Sequence, residues 1–144
     1  MQLIDPSGKL SQRDLRALLF QLVYALEGYQ YNFPLDQLLD IYNAEFELGI
    51  TIDSPIAQAI QAIVEQRAEL DKKLIPYLAN WRLERLGVPT KLILRIALWE
   101  LINTDTDHKI IINEAIELAK AFAEVDAYKF INGVLDEYNK SQKK

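Results

Sequence analysis

Apolar residues recur at spacings of three and four along nearly the whole chain, and the strict alternation that marks strands is scarce. The pattern therefore predicts helices. Ser11 is placed to cap a first helix running to about Glu27, with Gly28 to end it. Pro34 suits the first turn of a second helix, which Gly49 closes. Ser54-Pro55 starts a third, with Ile56, Ile60, Ile63, Leu70 and Leu74 on one stripe and Pro76 to bend or end it. Trp81 to Leu86 reads as a short helical turn stopped by Gly87. Pro89 opens a long helix through Ile93, Ile96, Ala97, Trp99 and Leu101. Asp107 precedes another, near Ile110 to Ala123. Asp126 precedes the last, which ends around Tyr138 before a basic tail of Lys140, Lys143 and Lys144. The expected fold class is all-α, a compact bundle of six or seven helices forming one domain over residues 1–144.

The first helix carries the most physical information. At about 100° per residue, Leu15, Leu18, Leu19, Leu22, Ala25 and Leu26 gather on one side. Arg13, Arg16, Ala17, Phe20 and Tyr24 fall on the opposite side. Guanidinium groups beside aromatic rings suit single-stranded RNA, because bases stack while arginines hold phosphates. The same spacing also fits a helix sandwiched on both sides, with Phe20 and Tyr24 packed against a neighbour.

Composition narrows the classes of function. With 144 residues, half of them hydrophobic, the chain has enough length for a real core. Cysteine is absent, which excludes disulfides, cysteine-ligated zinc and thiol catalysis. The start, Met1-Gln2-Leu3-Ile4-Asp5-Pro6, lacks the layout of a signal peptide, and no apolar run nears the roughly 20 residues that span a bilayer. A cytoplasmic protein with no membrane association is expected. The net charge of −5 argues against nucleic acid until its distribution is considered. Residues 27–71 are strongly acidic, whereas residues 72–95 carry Lys72, Lys73, Arg82, Arg85, Lys91 and Arg95 against Glu84 alone. Local potential decides where a phosphate backbone sits.

Little in the sequence serves catalysis. The five glycines are spread singly, so no phosphate-cradling loop exists. His108, the only histidine, falls in a polar loop, and one histidine with no Glu-x-x-His pair makes no metal site. Asp105 with Asp107, and Glu114 with Glu117, read as a polar turn and a solvated helix face. No catalytic residue, metal or cofactor is expected. Arg95 and Trp99 stand four apart, so the guanidinium can lie over the indole. Asn132-Gly133 inside the last helix costs about 1 kcal/mol relative to alanine, which predicts close approach of a neighbouring helix at Gly133.

Three strings in the C-terminal third carry a family resemblance. They are Leu94-Arg95-Ile96-Ala97-Leu98-Trp99-Glu100-Leu101, then Ile112-Asn113-Glu114-Ala115-Ile116-Glu117-Leu118-Ala119-Lys120, then Lys129-Phe130-Ile131-Asn132-Gly133-Val134-Leu135-Asp136. Long, ordered and correctly spaced, they resemble the pattern of the bacterial antitermination factor family NusB. The first helix, from Arg13 to Tyr24, is similar to the family's opening helix; between about residues 29 and 80 the likeness is in helical character only.

The resemblance implies a fold of two small helical bundles and a role in processive transcription of ribosomal RNA operons. It implies binding of single-stranded boxA-like RNA together with NusE, a small-subunit ribosomal protein, and through it the Nus factors on RNA polymerase. A ribosomal RNA cytosine methyltransferase shares the fold, but the stand-alone factor is the form expected here. By position, Arg13 and Arg16 match arginines of the family's basic N-terminal segment, and Tyr24 matches its first-helix tyrosine. Phe122 and Asp126 match residues at the RNA-facing junction of the last two helices. With Phe20 from the helix-face argument, these make the candidate RNA-binding set. Gln12 and Asp14 interrupt the arginine run, which lowers the affinity expected of this chain alone. Phe122 shares the apolar side of its helix with Ile111, Ala115 and Leu118, so it either packs in the core or reaches the surface at the helix end. Asp126 suits an N-cap as well as it suits accepting hydrogen bonds from base amino groups. The competing function is a protein-only interaction module, or a homodimer, that buries Phe20 and Tyr24 against another chain.

Overall fold

The computed structural model describes residues 10–143; readings that fall on residues 1–9, or on Lys144 of the basic tail, lie outside the described residues. Among them are seven α-helices, two short 3₁₀ turns and no strand, in keeping with the all-α expectation. The chain divides into two compact units, Met1–Glu65 and Gln66–Lys144.

The first unit holds α1 (Gln12–Gly28), α2 (Leu35–Phe46) and α3 (Pro55–Glu65). A reciprocal capping box starts α1. The Ser11 hydroxyl accepts from the Asp14 N–H at 3.1 Å, and the Asp14 carboxylate accepts from the Ser11 N–H at 3.4 Å. Asp14, which interrupts the arginine run, thus has a structural task. Helix α1 packs against α3, whose Ile56, Ala57, Ala59, Ile60 and Ile63 are all buried. The glycine stop expected at Gly28 holds, whereas the one expected at Gly49 does not. Gly28 is the last residue of α1, but the left-handed turn is made by Gln30 (φ 54°) and Tyr31 (φ 60°). Helix α2 ends at Phe46, three residues before Gly49, with Glu47 in the left-handed conformation (φ 54°). A side-chain clamp holds the chain that follows: Asn43 donates to the Ile50 carbonyl at 2.7 Å and accepts from the Ile50 N–H at 3.0 Å. Two good hydrogen bonds to one backbone unit set the loop's course, so the glycine is not needed as a stop.

The second unit holds α4 (Arg67–Leu74), 3₁₀ turns at Ile75–Tyr77 and Leu83–Arg85, α5 (Val88–Asn103), α6 (His108–Phe122) and α7 (Ala127–Ser141). The single third helix expected from Pro55 past Leu74 is two helices, broken at Gln66 (φ −94°, ψ 7°). Ile63 of α3 and Leu70 of α4 are both buried, each within its own unit. Helix α5 is the centre of this unit. Eight consecutive residues, Leu92 to Trp99, are buried, and the helix packs against α4, α6 and α7. A helix apolar all round is one surrounded by neighbours.

Arg95 is the polar exception on α5. Its guanidinium is almost wholly buried. It forks onto Asp71 of α4, with Nε and Nη2 donating at 2.9 and 2.8 Å. Two parallel bonds to a carboxylate satisfy much of the hydrogen-bonding need of a guanidinium that is 4% exposed. Asp107 caps α6 by accepting from the Lys109 N–H at 2.9 Å, which brings His108 into the helix rather than the loop. Leu118 and Val134 are buried on α6 and α7. Asn132 and Gly133 are exposed, and a Cβ added at Gly133 would meet nothing within 4 Å. Among the described residues no helix makes the close approach expected at that glycine. At the end of α7, Tyr138 meets Tyr77 edge-on at 5.4 Å, and the Tyr77 hydroxyl lies 2.7 Å from the Ser141 hydroxyl. Burial, and secondarily Tyr77, push the Tyr138 phenol above its ordinary value.

Candidate nucleic-acid interface

On α1 the four candidate side chains separate by exposure. Arg13 and Tyr24 are exposed, Tyr24 at 46%, but Arg16 and Phe20 are buried, at 9% and 3%. The helix side opposite the leucine stripe is therefore divided, with Arg13 and Tyr24 open to solvent and Arg16 and Phe20 not. Buried Val23 and Phe20 make α1 apolar around much of its circumference, and such a helix is covered on both sides. Phe20 is consequently closed to a stacking base. It supports Tyr24 instead, their ring centroids 5.9 Å apart and tilted by 43°.

The junction of α6 and α7 presents the other two. Phe122 is the last residue of α6 and is 37% exposed, so the helix end carries it to the surface rather than into the core. Asp126 precedes α7 in the left-handed conformation (φ 69°, ψ 0°), and its side chain makes no capping hydrogen bond. The capping role expected of it fails because a residue at those torsions is not in the extended conformation from which a side chain reaches the first N–H groups. The exposed carboxylate lies 3.7 Å from the Lys129 ammonium, a contact that leaves it able to accept further hydrogen bonds.

Asp126 borders a cleft of about 380 Å³ whose walls include Lys129 and Phe130 of α7 and Trp81 and Arg85 of the connection before α5. Gly87 lines the same cleft, and a Cβ there would collide with the carboxylate end of Glu124. Beside it, the Tyr128 ring is flanked by the ammonium groups of Lys120 at 5.0 Å and Lys129 at 5.9 Å. Cations and rings are thus interleaved with the carboxylates of Glu124 and Asp126. Trp81, Arg85, Lys129 and Phe130 are absent from the set read off the sequence. The available signal was an aromatic residue within the basic segment, in a stretch too short to show which way it faces.

No group of three or more potential ligands that could hold a metal ion occurs among the described residues, and no described helix is long and apolar enough to cross a membrane.

Comparison with known proteins gives a consistent result. A model of the NusB family matches residues 13–140. The transcription antitermination protein NusB of Staphylococcus carnosus is 34% identical over 130 residues, covering 90% of this chain and all of that one. NusB of Macrococcus caseolyticus is 44% identical over 85 residues, 59% of this chain and 65% of that protein. The structure of T. maritima NusB superposes with a TM-score of 0.79 at 30% identity, covering 92% of each chain. A chain from a crystal structure described as a plectonemic RNA supercoil shares the fold, with a TM-score of 0.76 at 22% identity over 91% of this chain and 95% of that one.

Proposed function

The chain belongs to the NusB family, and from that premise we propose that it is a transcription antitermination factor that binds boxA-type single-stranded RNA together with NusE. It acts by binding, as an adaptor between nascent ribosomal RNA and the Nus factors on RNA polymerase, and not by catalysis. The observation that carries this reading is Asp126, a carboxylate released from capping and set, with Glu124, in a cleft lined by the exposed Trp81, the half-buried Phe130 and the cations Arg85 and Lys129. Such a group can read a base edge while its neighbours neutralise phosphate and stack bases.

Charge supports the same division of labour. Between Arg16 and Arg67 the chain has no Lys or Arg, whereas Asp36, Asp40, Glu45, Glu47, Asp53 and Glu65 all lie there. RNA is repelled by that stretch and drawn to the exposed cations of the second unit and to Arg13 of the first. Few cations face the strand, so affinity for RNA alone is weak and is raised by the protein partner. Tyr24 and Phe122 supply rings for stacking, and Phe20 supports Tyr24 on its own helix.

The test is binding of a short boxA-like RNA, with and without NusE, at two salt concentrations. Tighter binding in the presence of NusE, and preference for the single strand over a duplex of the same sequence, are expected. Equal affinity for single strand and duplex would sink the reading, because stacked bases of a duplex offer no free faces.

A further inference from the structure

Trp81 stands between two clefts of the second unit. One holds Asp126. The other, about 490 Å³, is bordered by Ala79, Asn80, Trp81, Arg82 and Arg85, so Trp81 and Arg85 belong to both. The loop that shapes the second cleft is conformationally unusual. Ala79 and Asn80 are consecutive left-handed residues, at φ 50° and 74°, a region disfavoured for any residue with a Cβ. The Trp81 N–H donates to the Leu78 carbonyl at 2.9 Å, closing the turn, and the indole projects outward at 60% exposure. Phe130 meets it edge-on, centroids 6.4 Å apart and planes at 70°. Arg82 and Arg85 are both exposed, and neither pairs with a carboxylate among the described residues.

An exposed indole beside two unpaired guanidinium groups within five residues forms an uncommon surface, since tryptophan is usually well buried. None of the cleft's lining residues is acidic, which disfavours a cation. Its volume falls in the range of small-ligand sites. A flat π-system beside fixed positive charge suits one ligand class best: a base with its phosphate.

We propose that this cleft is a nucleotide subsite of the RNA strand, with one base stacked on Trp81 and its phosphate held between Arg82 and Arg85. The strand passes Trp81 and continues into the neighbouring cleft, where Asp126 accepts from a base. The inference rests on the RNA-binding function proposed above and extends its footprint to the loop of residues 79–85.

Tryptophan emission provides the test, because the two tryptophans differ sharply. Trp99 is 5% exposed and Trp81 is 60% exposed, so a strand stacking on Trp81 quenches the long-wavelength part of the emission. The full chain is titrated with a boxA-like single-stranded RNA carrying an end label, reading label anisotropy and tryptophan emission together. Wild type, Trp81→Ala and the double variant Arg82→Ala/Arg85→Ala are compared, with unfolding midpoints as the check on folding. Saturable quenching that disappears in Trp81→Ala is expected, with affinity reduced about five- to 150-fold. The double arginine variant, whose side chains are exposed and unpaired, should flatten the slope of log K against log salt by about 0.7, the share of the one phosphate they hold. If Trp81→Ala fails to fold, wild-type quenching and the arginine variant decide. RNA binding that leaves Trp81 emission and the arginine variant's affinity unchanged overturns the subsite and leaves the RNA-binding function standing. Absence of RNA binding by wild type, with and without NusE, overturns both.

Discussion

Phe20 and Tyr24 lie one helical turn apart on α1 and differ in what surrounds them. Helical periodicity gives each residue's direction from the axis, and on that measure the two are equivalent. It does not give the number of neighbours, which is why the sequence alone could not separate the buried Phe20 from the exposed Tyr24. The two therefore separate in experiment. Phe20→Ala should lose about 3–5 kcal/mol of folding stability, as truncation of buried aromatics does. Tyr24→Ala should leave stability nearly unchanged but weaken RNA binding about five- to 150-fold, with Tyr24→Phe retaining most of the affinity. Thermal unfolding and RNA titration on the same three variants check this; a strongly destabilised Tyr24→Ala would place that ring in the core. Asp126 teaches a related lesson. Its residue type announces an N-cap, but its left-handed backbone, which local sequence does not encode, takes the side chain out of capping reach.

At the scale of helices, boundaries were legible where a side chain makes the cap and obscure where tertiary contacts do. Ser11 and Asp107 mark the starts of α1 and α6 through bonds to their own helices. The break at Gln66 has no glycine or proline to betray it, and the end of α2 is set by Asn43 reaching seven residues ahead. Packing of α6 on α7 should make Leu118→Ala cost about 2–4 kcal/mol. Gly133→Ala should instead stabilise by about 1 kcal/mol, because the site is helical and open, and denaturant midpoints of the two variants should move in opposite directions. Where α7 meets the 3₁₀ turn at Ile75–Tyr77, the Tyr138 phenol is held above its ordinary value. The stability it contributes is complete below about pH 10, the unfolded value, and is lost as pH rises through the higher folded one. Tyr138→Phe should therefore show a shallower loss of stability across that alkaline window, measured by urea unfolding at stepped pH.

For the whole molecule, the sequence made the all-α class plain, since apolar spacing, stops and starts agree along the chain. It made the charge division plain too, because charge adds along a segment whatever the fold. The surface around Asp126 was less legible. It is assembled from Trp81 and Arg85 in one segment and Lys129 and Phe130 in another, and no local pattern joins residues more than forty positions apart. The same charge division limits how strongly salt can act on RNA binding. With about three or four phosphates neutralised, log K should fall with log salt at roughly −0.7 per phosphate, a slope near −2 to −3. A much steeper slope would require cations beyond those assigned to the strand.

The open surface at Asn132-Gly133 has a chemical consequence over long times. Asparagine followed by glycine is the pair most prone to deamidation, in which the glycine backbone nitrogen attacks the asparagine side-chain carbonyl carbon and expels ammonia. The bare flank of Gly133 removes the steric obstacle, and exposure admits water. Helix α7 opposes the reaction nonetheless, since the Gly133 nitrogen lies within the regular hydrogen-bonded span of a helix from Ala127 to Ser141 and its geometry points away from the side chain. Only when that stretch unravels does the ring-closing geometry become accessible. Isoaspartate accumulating at position 132 is then a slow clock of α7 opening. Peptide mass spectrometry of aged protein should find less of it when RNA and NusE hold the chain folded than when it stands alone.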